Sequence, residues 1–210
     1  MPISRLKTWR ANRSAAGFFP AVASVLVLVL TTALAGRSAA VQAQPAWRVP
    51  EKLPPRELGH EGIVVKITPL LSEPVMGFLI GRGFPAPLAQ RYSASCVIRV
   101  VMSNESAPAK ISYDLRLWRT RRPDGALGAP STREEWMKEW QRSPLSDRSR
   151  MGFEWSQFPT MQELERGDSI QGMVNTRLPA GSRFDLLLEW FAQGKTHRNE
   201  LEAIGCAPPS

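Results

Sequence analysis

The residues able to do acid–base chemistry in this chain are few. It has 210 residues and two histidines, His60 and His197. A serine or cysteine nucleophile needs a neighbouring base, usually His, held in place by an acid. His60 falls in a proline-rich stretch that reads as a linker, and His197 lies in a solvated strand between Thr196 and Arg198. Both therefore read as surface histidines, and there is no Gly-x-Ser-x-Gly elbow. Paired carboxylates do no better. Glu135 and Glu139 stand one turn apart on a helical segment, but Arg133, Lys138 and Arg142 make that segment a solvated charged face. Asp168 and Asp185 follow a turn or point outward from a strand. Gly81-Arg82-Gly83 lacks the spacing of a phosphate-binding loop.

Metal chemistry is equally short of ligands. Zinc sites are built from clustered Cys, His and carboxylates, and Cys96 and Cys206 are expected to be oxidised together. Soft thioethers select Cu(I), so Met76, Met102, Met137, Met151, Met161 and Met173 keep a copper-handling reading open. They show no M-x-M, M-x-x-M or H-x-x-M grouping, however, and scattered Met is ordinary core filling. No cofactor is expected.

Tryptophan is the unusual enrichment. Trp118 lies on the polar side of a strand's alternation, and Trp136 and Trp140 lie one turn apart on an amphipathic helix. Flanked by Arg116, Arg119, Arg121 and Arg122, they could form an exposed aromatic patch of the kind that dominates protein interfaces. The other reading, which the pattern of these residues favours, is that the helix lies over that sheet face and buries all three as a small second core.

Charge and cysteines set the compartment. Arg5, Lys7, Arg10 and Arg13 precede an apolar run over Ala21 to Ala35, and Val41-Gln42-Ala43 ends the segment in small residues, the grammar of a secretory signal. Cleavage is expected after Ala43, with Ala35 or Ala40 as alternatives. A retained anchor is the competing reading, but Phe18 to Ala35 is only 18 residues and includes Pro20, short of the about 20 apolar residues a membrane span needs. Residues 1–43 carry five of the 27 Lys and Arg and none of the 19 Asp and Glu, which leaves 22 basic against 19 acidic, a net of +3. The high sequence pI of 10.2 thus belongs mostly to the leader, and nucleic acid is discarded as a partner. In an oxidising compartment two cysteines imply one disulfide, Cys96 to Cys206. The excess of Arg over Lys, 21 to 6, hints at a GC-rich bacterium and hence the periplasm. Asn104-Glu105-Ser106 matches a glycosylation acceptor, a pattern that recurs by chance.

These residues need a scaffold to position them. Prolines over 44–61 predict an extended arm. Gly62 to Leu70 is β-branched and reads as a strand; Ser72-Glu73-Pro74 starts a helix that Gly81 to Gly83 stops, and Pro87 to Ser93 reads as a second helical piece. Cys96 to Met102 is a near-continuous apolar run, Asn104 to Ala107 is turn chemistry, and Ile111, Tyr113, Leu115 and Leu117 alternate with polar residues up to Trp118. The two segments read as an antiparallel hairpin. Thr132 with Glu135 forms a capping box for a helix ending near Arg142. Ser143 to Arg150 reads as a polar loop, and Met151 to Phe158 and Met161 to Glu165 as strand-like pieces. Ser169 to Leu178, Ser182 to Phe191 and Thr196 to Ile204 complete the strands. The organisation expected is a signal over 1–43, an arm over 44–61, and one domain over 62–208. Its fold class is mainly β, a two-sheet antiparallel immunoglobulin-like sandwich with one or two short helical inserts.

On Gly81-Arg82-Gly83-Phe84, the strand from Cys96 to Asn104, Gly167-Asp168 with Gly172-Met173, Leu178 to Leu186, and Gly205-Cys206-Ala207-Pro208, the chain resembles a loose group of uncharacterised exported β-sandwich proteins of Gram-negative bacteria. That resemblance brings no activity with it. The function expected is a non-catalytic periplasmic module that binds another envelope protein through Trp118, Trp136, Trp140, Arg116 and Arg119, without contact to membrane once the signal is removed. The alternative is copper handling for respiratory-complex assembly.

Overall fold

The computed structural model describes residues 53–208, so the apolar leader lies outside the described residues. Among the described residues no helix is long and apolar enough to cross a membrane. Two antiparallel sheets face each other. The first has the order β1-β2-β3-β8, from Arg56–His60 (β1), Ile63–Pro69 (β2), Ser95–Asn104 (β3) and Ser169–Pro179 (β8). The second is built around Arg183–Ala192 (β9). Lys195–Gly205 (β10) pairs along one edge of β9, and Ile111–Asp114 (β4) and Arg119–Arg121 (β5) pair along the other. Met161–Leu164 (β7) extends β4, and Leu127–Gly128 (β6) extends β5.

The sheets form because one face of each strand is apolar. Val65 and Ile67 of β2, Ile98, Val100 and Met102 of β3, and Leu186, Leu188 and Trp190 of β9 alternate inward and are all buried. Cys96 and Cys206 lie in the same layer and are joined, with Cα atoms 5.4 Å apart, as the sequence required. A third layer covers the outer face of β3 and β8. It comprises Ser72–Gly81 (α1), Ala86–Ser93 (α2), Arg133–Glu139 (α3) and Asp147–Glu154 (α4). Val97, which points outward from β3, is buried beneath it. That cover explains the continuous apolar run of β3, whose two faces are both dry where the helices lie.

Four sequence expectations fail here, each for a physical reason. The arm over 44–61 is not wholly an arm, since its residues Arg56–His60 pair with β2 from Arg56↔Ile67 to His60↔Ile63. The expected β3–β4 hairpin does not form. β3 pairs with β2 and β8, and the chain crosses to the other sheet after Asn104. Asn104 pins that corner. Its side chain is buried, donates from Nδ2 to the carbonyls of Ala109 and Leu164 at 3.2 and 3.1 Å, and accepts from Ala107 N–H. The same bonds take that amide away from glycosylation. The polar loop and strand-like piece over 143–158 are instead helix α4 and its exit, begun by Ser146, whose hydroxyl accepts from Ser149 N–H at 3.1 Å. The alternation from Ile111 to Trp118 is broken by a 3-10 turn at Leu115–Leu117, where the Asp114 carboxylate takes up the Arg116 N–H. The turn shifts the phase, leaving Leu117 exposed and sending Trp118 into the core.

Candidate functional site

The three tryptophans expected to bind a partner are buried, the reading favoured over an exposed patch. Trp118, Trp136 and Trp140 are each 1% exposed, and they belong to two different cores. Trp118 packs between the sheets near Tyr113 and Phe158 and donates its indole N–H to the Glu189 carbonyl at 3.0 Å. Trp136 and Trp140 lie in the helical layer with Phe84, Tyr92 and Phe153, mostly edge-on or tilted at centroid separations of 4.5–6.0 Å. Neither flanking arginine reaches them as a recognition group. Arg116 is bound to the Asp114 carboxylate at 2.6 Å, and that contact holds the Asp114 pKa below its ordinary range. Arg119 caps the carbonyls of Arg116 and Trp118 at 2.6 and 2.7 Å. Packing outcompetes display because burying an indole removes more apolar area from water than burying any other side chain.

The methionines do not gather either. Met102 is in the main core, Met76, Met137 and Met173 pack against the helical core, and Met151 and Met161 are exposed at separate places. Glu135 is spent on the capping box, with its carboxylate on Thr132 N–H and Thr132 Oγ1 accepting from Glu135 N–H.

An aromatic group does stand in solvent, at a residue the sequence placed in a strand. Trp155, the C-cap of α4, is 78% exposed. It overhangs a groove whose other walls are Phe78, Arg82, Arg99, Gln171 and Met173. The Arg82 guanidinium lies over the Phe78 ring, 4.5 Å from its centroid. It also passes Gly152 of α4, where an added Cβ would come within 3.4 Å of it. Arg99 donates to Gln171 across β3 and β8. Arg148 lines the adjoining recess with Phe78 and Arg82. No carboxylate lines either hollow, and among the described residues none of the three arginines forms an ion pair. The floor is rigid. Ser156 to Phe158 runs against β8, with Met173 N–H donating to Ser156 and Phe158 N–H to Met173 at 2.8 and 2.9 Å. Only glycine at 172 permits that approach, since a Cβ there would meet Phe158 N at 2.2 Å. The signal available in the sequence was Ser146-Asp147 as a helix start, which places Trp155 at a helix end.

A second constellation joins residues far apart in the chain. His60 at the end of β1, Glu61 in the turn after it, and His197 near the start of β10 converge, with one ligand atom of each within 4.8 Å of the others. Glu61 Oε1 is 3.8 Å from His60 Nε2, and Glu61 Oε2 is 3.8 Å from His197 Nδ1. Buried Trp190 is the floor: His197 stacks on it at 5.7 Å and 6°, and His60 meets it edge-on at 5.6 Å. Both histidines keep some exposure, 36% at His60 and 18% at His197, and what the sequence did not reveal is that they are neighbours.

No family model matches the chain, and no curated protein matches it. Among solved structures, a DUF4426 family protein from Pseudomonas aeruginosa PAO1 is similar at 9% identity. That likeness covers 74% of this chain and 97% of the other, with a TM-score of 0.36.

Proposed function

We propose that this chain is an exported, non-catalytic binding module of the Gram-negative envelope that docks an acidic segment of another envelope protein in the groove beneath Trp155. The observation that carries the reading is Trp155 itself, 78% exposed beside the Phe78–Arg82 stack. A lone indole in water forgoes burial that every other described tryptophan obtains. Trp and Arg are the residues over-represented at the energetic centres of interfaces, and a groove bounded by rigid elements loses little ordering entropy on binding. Charge complementarity specifies the occupant: three arginines and no lining carboxylate call for Asp or Glu side chains. Export is supported by the leader grammar and by a disulfide that an oxidising compartment would keep closed.

The test is site-specific photo-crosslinking in intact cells, with a photoreactive aromatic side chain in place of the Trp155 indole in the full chain, which keeps a ring over the groove, and a control probe at position 198 on the opposite sheet. A defined adduct with one envelope protein is expected from 155 and not from 198, joined through a segment rich in Asp and Glu. Arg82→Glu is expected to lower its yield by roughly tenfold or more, because like charges then face each other. Absence of the adduct, attachment through a neutral or basic segment, or a yield indifferent to Arg82→Glu overturns the reading.

A further inference from the structure

We propose that His60, Glu61 and His197 form a surface site for one divalent late first-row metal ion, Zn2+ or Cu2+. The donor set is two imidazoles and a carboxylate, borderline ligands that suit these ions and leave room for water or an incoming ligand on the solvent side. The spacing is close to what coordination needs. Ligands about 2.0–2.1 Å from a tetrahedral centre stand roughly 3.3 Å apart, and here both carboxylate–imidazole separations are 3.8 Å. The Glu61 side chain is 67% exposed, so its carboxylate is free to turn towards an ion held between the two imidazoles.

The fold holds the three donors together through elements that have other reasons to exist. His60 is fixed by pairing with Ile63 at the closed end of the β1–β2 hairpin. His197 is paired with Trp190 across β9 and β10 and lies flat on its ring. Glu61 and Gly62 form the two-residue turn, both at positive φ, +47° and +85°. Turns of this type favour Asn, Asp or Gly at the first position, so Glu61 holds its carboxylate between the histidines at a cost in backbone energy. Gly62 is pressed against the 105–107 loop, whose Glu105 and Ser106 N–H groups donate to its carbonyl at 2.8 and 3.1 Å, so the turn is anchored. This chemistry differs from the thioether copper site weighed from the sequence, because it uses no methionine.

The exported chain, purified without a polyhistidine tag, is titrated separately with Zn2+ and Cu2+ by calorimetry. One equivalent is expected to bind, with the Cu2+ complex showing coupling to two nitrogens in its electron paramagnetic resonance spectrum. His60→Gln and His197→Gln are each expected to weaken binding on the order of 100-fold, the upper end of what outer-shell groups alone contribute, and to remove one nitrogen from the spectrum. Glu61→Gln lies in an exposed turn and leaves the packing of both histidines alone. It is expected to weaken binding while keeping both nitrogens. Stoichiometric binding that survives the double His60→Gln/His197→Gln substitution, or no saturable binding of either ion to the parent protein, overturns the assignment.

Discussion

The guanidinium of Arg177 lies over Trp136, its central carbon 3.6 Å from the ring centroid. From that position it donates to Ser131 Oγ at 2.6 Å and to Glu139 Oε2 at 3.0 Å. The arginine thus closes the outer side of the aromatic core over which α3 is folded, and it does so from a strained backbone at φ +62°. Trp136 and Trp140 are therefore determinants of stability. Trp136→Ala is expected to cost about 3–5 kcal/mol, the range for emptying a buried aromatic site. Arg177→Ala is expected to cost about 0.5–2 kcal/mol through the lost cation–π contact. Urea unfolding with the disulfide intact measures both; a Trp136→Ala protein of unchanged stability would contradict the placement of that indole.

The disulfide closes most of the domain into one loop, since Cys96 and Cys206 are 110 residues apart in sequence. On the chain-entropy account a loop of about 100 residues restricts the unfolded state by about 4.7 kcal/mol. The Cys96→Ala/Cys206→Ala protein is expected to lose stability on that scale, with little change in far-ultraviolet dichroism, because both sheets remain paired. Reduction with dithiothreitol should lower the unfolding midpoint of the parent and leave that of the double variant where it is. A reduced parent as stable as the oxidised one would refute the entropic account.

What the sequence made legible was mainly what local pattern encodes. Alternation found β9, the Gln193-Gly194-Lys195 turn signal placed most of β10 after it, the capping box found α3, and an even pair of cysteines permitted a single pairing. What escaped it depended on contacts between distant segments. The phase of Ile111 to Trp118 is reset by a turn that Asp114 caps, and nothing in the alternation announces a reset. Helix α4 was hidden because Gly152 and Ser149 weaken its helix propensity, and its stability comes from packing Phe153 into the aromatic core. The meeting of His60 with His197, 137 positions apart, follows from the approach of β1 to β10, where Arg56 also donates to the Ala203 carbonyl at 3.2 Å. Composition reported two histidines; only the sheet edges made them neighbours.

Acid should loosen the β9–β10 edge before the core. Asp185 Oδ1 accepts from Ala203 N–H at 2.9 Å, within the irregular stretch between Leu201 and Ile204, and its Oδ2 lies 3.1 Å from Arg121. The backbone bond first, and Arg121 second, hold the Asp185 pKa below its ordinary value. A carboxylate with a depressed folded pKa contributes stability that is complete above the unfolded value, about 3.9. That contribution is lost as pH falls through the folded one. As pH falls from about 4, close to the unfolded value, towards and through the lower folded one, the parent is expected to lose more stability than Asp185→Asn, which keeps a neutral acceptor. Amide exchange at Ala203 should accelerate in the same window. Parallel pH profiles for the two proteins would remove Asp185 from the account.

Gly172 tests the link between fold and proposed docking groove. Its Cβ-free backbone lets residues 156–158 lie directly on β8, where an alanine methyl would come within 2.2–2.5 Å of the backbone at Gln157 and Phe158. Backbone cannot swing aside as a side-chain tip can, so the segment must lift. Gly172→Ala is expected to destabilise by roughly 1–3 kcal/mol, the usual cost of overpacking. It should also disturb the bonds that join Ser156 and Phe158 to Met173. Because Trp155 immediately precedes that segment, the groove should distort with it. The variant should therefore lose photo-crosslinking from position 155 under conditions where it remains folded. Gly167→Ala is the control: it strains a turn at φ +92°, but its methyl meets nothing within 4 Å. It should cost stability through that backbone strain while leaving the adduct at position 155 in place. Loss of the adduct in both variants would mean that reduced stability, and not the geometry under Trp155, governs docking.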